Sequence, residues 1–79
     1  MSHHVPHELH EEFPDHAARI DELIASSARF ARLAQDYREV NGEILRIESG
    51  ATPTADEILE DFKKQRLHLL DAISDLLRH

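Results

Sequence analysis

Between Pro14 and Gly50 the apolar residues fall at steps of three and four. They run Ile20, Leu23, Ile24, Phe30, Ala31, Ala34, Tyr37, Ile44 and Ile47, with Ser27 and Asn41 filling two positions of the same series. That period is one face of an α-helix, and its alternation is the heptad spacing of a coiled-coil-like seam. No proline interrupts it. The spacing therefore predicts a long helix over residues 15–49. Asn41 in such a seam can fix register at some cost in stability, and Ser27 reads as a second polar seam residue.

The ends of this helix carry their own signals. Pro14 suits a first-turn position, and Asp15 places negative charge at the positive end of the helix dipole. Gly50 can adopt the left-handed conformation common just past a helix end. After the linker Gly50-Ala51-Thr52-Pro53, the run Thr54-Ala55-Asp56-Glu57 matches a capping box, in which the Thr hydroxyl and the Glu carboxylate satisfy free backbone amides. A second helix is predicted over residues 55–77. Its apolar face holds Ile58, Leu59, Phe62, Leu69, Leu70, Ile73, Leu76 and Leu77.

So short a linker sets the two helices antiparallel. Folding about residues 51–52 brings Phe62 to Val40 and Asn41, Leu69 to Leu33 and Ala34, Ile73 to Phe30, and Leu76 to Ser27. Gly42 then lies near Phe62, where a missing side chain makes room for the ring. The plainer reading is a tolerated exposed glycine, costing about 1 kcal/mol against Ala.

Length sharpens the picture. The first helix would span about 50 Å and the second about 35 Å at the usual rise. Helix two cannot reach the first turns of helix one, which leaves Ile20, Leu23 and Ile24 uncovered. Either Val5, Leu9 and Phe13 fold back over them, or another chain does. The expected fold is all-α: an antiparallel two-helix hairpin with coiled-coil-like packing and a short N-terminal helical turn, dimerising into a helical bundle. Residues 1–13 form a polar, His-rich segment, and residues 14–79 form the hairpin domain. The core and interface are expected from Ile20, Leu23, Ile24, Phe30, Tyr37, Ile44, Phe62, Leu69, Ile73 and Leu76.

Composition narrows the partners. A chain of 79 residues makes a marginal core alone, and with no Cys it has no disulfide to help. A net charge of −7 argues against nucleic acid and against anionic membrane surfaces. No apolar run approaches the roughly twenty residues a membrane span needs, and Met1 to His7 lacks the pattern of a signal peptide. A cytoplasmic location and a homodimer or higher homo-oligomer are expected, with room for a further protein partner.

Four stretches resemble one family: His7-Glu8-Leu9-His10-Glu11-Glu12-Phe13-Pro14; Ala28-Arg29-Phe30-Ala31-Arg32-Leu33; Glu43-Ile44-Leu45-Arg46-Ile47-Glu48; and Leu59-Glu60-Asp61-Phe62-Lys63-Lys64-Gln65-Arg66-Leu67-His68-Leu69-Leu70-Asp71. In this order they look like the YdcH-like family of small bacterial proteins of unknown function. The resemblance implies a helical hairpin with coiled-coil character and supplies no catalytic residues. The chain departs from it at Ala34 and Gly42, where similar proteins carry larger residues.

The residues that might carry chemistry are few. His3, His7 and His10 would share a face of an N-terminal helix, a spacing that can bind zinc, nickel or copper. An exposed terminus binding metal adventitiously is the blander reading. His7-Glu8-Leu9-His10 is one residue short of the metalloprotease motif. Glu11/Glu12, Asp21/Glu22 and Glu60/Asp61 are carboxylate pairs, but general acid–base work needs a shaped, partly buried pocket. Ser26, Ser27 and Ser74 lack a nearby His and Asp for a triad, and there is no phosphate-cradling glycine loop. The expectation is a non-enzymatic interaction or assembly protein without a cofactor, an adaptor or regulator acting through self-association and partner helices. The alternative is a metal-binding protein using the N-terminal His cluster.

Overall fold

The computed structural model of the chain describes residues 9–52 and 54–78. Every regular element among them is helical, as the periodicity requires. A single-turn helix α1 (Leu9–Glu12) is followed by a 3-10 turn (Pro14–His16), then α2 (Ala17–Ser26), α3 (Ala28–Glu48) and α4 (Asp56–Leu77).

The expected helix over 15–49 is not continuous, and this is the main correction to the sequence reading. It breaks at Ser27, whose backbone is extended (φ −127, ψ 111). Ser27 therefore ends α2 and caps α3. Its Oγ accepts from the Phe30 amide at 3.1 Å, satisfying one of the free donors of a helix start. The physical reason for the break is coverage. A straight helix of that length would reach about 50 Å, while the described residues extend 38 Å at most. By bending, α2 lays its apolar face on the same core that α3 and α4 share.

That core holds Leu9, Ile20, Phe30, Tyr37, Ile73 and Leu77, with Phe13, Leu23, Leu33, Leu69 and Leu76 packed against it. Ile20, Phe30 and Ile73 are fully buried. Fully burying one such side chain contributes roughly 1.5–3 kcal/mol. Of the three residues expected to lie bare, Ile20 is sealed and Leu23 half-buried, whereas Ile24 stays 42% exposed. Leu9 and Phe13, from the chain's own N-terminal segment, share in that cover. Val5 lies outside the described residues.

α3 and α4 make the most extensive helix–helix contact. Glu48 pairs with Lys63 at 3.4 Å, Arg66 donates to Asn41 at 3.0 Å, and Phe30 shares the core with Ile73 and Leu77. The partners advance along one helix as they retreat along the other. The connection between them starts with Gly50 at φ +82. There the Gly50 amide donates to the Ile47 carbonyl and the Ala51 amide to the Arg46 carbonyl, at 3.1 and 3.0 Å. This is the two-bond closure that a left-handed residue makes at a helix end.

Two smaller expectations also change. α4 is capped at Ala55, with no side-chain cap bond, so Thr54 sits one residue too early to serve as its cap. The Ala55 carbonyl accepts from the Ile58 and Leu59 amides, while Asp56 and Glu57 supply negative charge in the first turn. Gly42 is not needed to seat Phe62. A Cβ there would meet only the end of the Arg46 side chain, at an ordinary 3.8 Å.

Candidate functional site

Polar chemistry and apolar surface meet in the angle between the N-terminal helices and α3. α3 turns Tyr37 and Asn41 toward the interior, one helical turn apart. Both are buried. Asn41 is only 1% exposed, and the Arg66 guanidinium of α4 donates to its Oδ1. A charge-assisted bond of this kind offsets the cost of burying an amide. Among the described residues no buried side-chain N or O lacks a partner.

Tyr37 reports its surroundings through its acidity. Its pKa is pushed up to about 12, first by burial and next by the nearby Glu12 carboxylate, with Arg66 acting the other way and Glu11 adding to the rise. Each of these makes physical sense: desolvation and negative neighbours disfavour a phenolate, and a guanidinium favours it. The phenol is thus held protonated at any physiological pH, which makes it a hydrogen-bonding group and not a base.

Beside this pair runs a groove of about 430 Å³, whose lining includes Leu9, Ile24, Ala31, Ala34, Gln35 and Tyr37. Its walls are mixed: His10, Arg38, Glu39 and Asn41 line it beside the apolar residues. Two further depressions lie along α3, one lined in part by Val40, Gln65 and Leu69 and one by Gly42 and Phe62. Both also carry charged side chains of either sign: Asp36, Glu39, Lys64 and His68 in the first, and Arg38, Glu39, Glu43 and Arg46 in the second.

The sequence-derived residues divide cleanly. Ile20, Phe30, Tyr37 and Ile73 come together in one core, with Leu23, Leu69 and Leu76 against it. Ile44 is buried nearer the turn, Phe62 is half-buried and Ile24 remains on the surface. Leu67, at 58% exposure, and Ile58, at 47%, are the other large apolar side chains in solvent. The feature that periodicity missed is the Ser27 cap. Its signal was present in the Ser26-Ser27 pair, since serine is a favoured cap residue.

The groups with catalytic or metal-binding potential are placed otherwise. Glu11, Glu12, Asp21, Glu22, Glu60 and Asp61 are all exposed. Ser26 Oγ donates to the Glu22 carbonyl. His10 Nε2 lies 2.8 Å from Asp21 Oδ1, tying α1 to α2, while His3 and His7 fall outside the described residues. Among the described residues no three His, Cys, Asp or Glu side chains are grouped so as to hold a metal ion, and no helix is long and apolar enough to cross a membrane.

Helices packed round a small core define the class among the described residues: an all-helical protein. A family model described as a protein of unknown function, DUF465, matches residues 30–77. That is 48 of the 79 residues, all of α4 and α3 from Phe30 onward. The chain belongs to this family, to which the YdcH-like proteins also belong. No curated protein and no solved structure gives a significant match.

Proposed function

We propose that this chain is a non-enzymatic interaction and assembly protein of the YdcH-like kind, an adaptor or regulator that works in the cytoplasm. It self-associates into a homodimeric helical bundle through the stretch that α2 and α3 share, and it meets partner helices through its apolar surface. The observation that carries this reading is the imbalance between core and surface. Among the described residues only four apolar side chains are fully buried, Phe30, Ile20, Ile44 and Ile73. Against them, Ile24, Ile58 and Leu67 stand 42–58% exposed. A core so small leaves a lone chain marginal, and large exposed apolar residues on small domains are where other chains bind.

Sedimentation across a concentration series tests the reading. The mass should rise from that of a 9.1 kDa chain toward twice that value. The double substitution of Ile24 and Leu67 by Glu should weaken the rise while leaving helical circular dichroism intact. A stable, well-folded chain that stays at single mass throughout the series would overturn it.

A further inference from the structure

We propose that the bend at Ser27 is an exchange hinge, and that the partner it serves is a second copy of this chain. In the exchanged form α2 and α3 join into one continuous helix, and each copy's α2 covers the core of the other. This rests on the self-association reading above and specifies how it happens.

The backbone at the hinge carries the argument. With Ser27 extended, the helical bonds from the amides of Ala28, Arg29 and Phe30 to the carbonyls of Ile24, Ala25 and Ser26 cannot form, because each spans the Ser27 torsions. The bent chain recovers one donor through the Ser27 hydroxyl. On either side the helical pattern resumes at once, with the Ser27 amide on the Leu23 carbonyl at 2.8 Å and the Ala31 amide on the Ser27 carbonyl at 2.9 Å. A single residue therefore separates two helices that are otherwise in phase. No residue from Ala25 to Arg29 is a Gly or Pro that would demand a break.

The side chains agree with the backbone. The heptad series Ile20, Leu23/Ile24, Ser27, Phe30/Ala31, Ala34 runs through the bend without losing step. What keeps the chain bent is burial, above all that of Ile20 against Phe30, Ile73 and Leu77. A second copy can bury Ile20 in another way. Two straightened α2–α3 helices, laid antiparallel and crossing near Ser27, would set Ile20 of each copy against the Ala34 region of the other. Such an arrangement is two-fold symmetric, so the same patch serves both chains. It also gives cover to Ile24, which the bent form leaves in solvent. Short hinges of this kind are where exchange occurs.

The test uses the whole chain, which has no Cys of its own, with spin labels on Ala18→Cys and Arg38→Cys, both exposed positions. Labelled chains are diluted into unlabelled ones so that only distances within one copy are read. In a continuous helix the two sites lie about 30 Å apart; in the bent chain they are closer. Ser27→Ala removes the cap and favours the straight form, so it should tighten the dimer by roughly tenfold or more and shift the distance to the long value. Ser27→Gly preserves the break and should stay near the unmodified chain. The unmodified labelled chain, raised in concentration, should show the long distance growing with the dimer, which keeps the test decisive if Ser27→Ala folds poorly. A dimer that forms with the short distance unchanged overturns the hinge and leaves self-association standing. A chain that never dimerises overturns both.

Discussion

The two halves of this molecule are held together in different ways. α3 and α4 belong to each other along their length, through Phe30 against Ile73 and Leu77, Asn41 to Arg66, and Glu48 to Lys63. α1 and α2 make a less extensive contact with the rest. Their hold consists of Leu9 and Ile20 in the core and Phe13 and Leu23 against it, while the His10–Asp21 pair ties the two to each other. The family match makes the same division, covering residues 30–77 and leaving the N-terminal helices outside. Regular helix is thus common to both parts, but only the second pair has an extended partner. Local openings should therefore begin in α1 and α2, where fewer apolar contacts oppose them.

Substitutions can break or sharpen this contrast. The largest effect should come from Phe30→Ala, which empties the point where both halves meet. It should cost about 3–5 kcal/mol, and denaturant titration should show the whole chain unfolding together. Ile20→Ala removes a buried side chain that belongs to one half, at about 2–5 kcal/mol. Amide exchange should then quicken across α2 while Ile44 and its neighbours in α3 keep their protection. Uniform loss of protection would mean that the two halves are one cooperative unit.

Arg66→Ala should cost about 1–3 kcal/mol, because it removes the guanidinium that donates to the buried Asn41 carbonyl. Its effect should fall on α3 and α4 and hardly on α2. Alkali acts at the boundary between the halves. A phenol whose folded pKa is raised to about 12, from about 10 when unfolded, lends stability that is complete below pH 10. That stability is lost as pH rises from there through 12. With one Tyr in the chain, the phenolate absorbance should rise late and together with unfolding, and Tyr37→Phe should abolish the alkaline loss. The smallest effect, and the only gain, is expected from Gly42→Ala. It fits without a clash and should add about 1 kcal/mol to helix stability.

Much of this was legible in the residues. The period fixed helix as the only regular structure, Gly50 marked the turn, and the lengths of the two apolar stripes showed that Ile20 needed a cover from elsewhere. What could not be read was the choice between a straight rod and a bent one. Ser27 satisfies both, as a seam position in the first and as a cap in the second, and the decision rests on burial far along the chain. Thr54 misled for a related reason. Its spacing to Glu57 fits a capping box, but the helix starts one residue later, at a boundary that local pattern defines poorly.

The Asn41–Arg66 bond has one more consequence. It sits deep between α3 and α4, well away from the connection that links them, and it tells one helix which turn of the other to face. The stretch joining them is thereby relieved of any duty as a ruler. Adding a residue to it or taking one away should leave the two rods locked at the same notch.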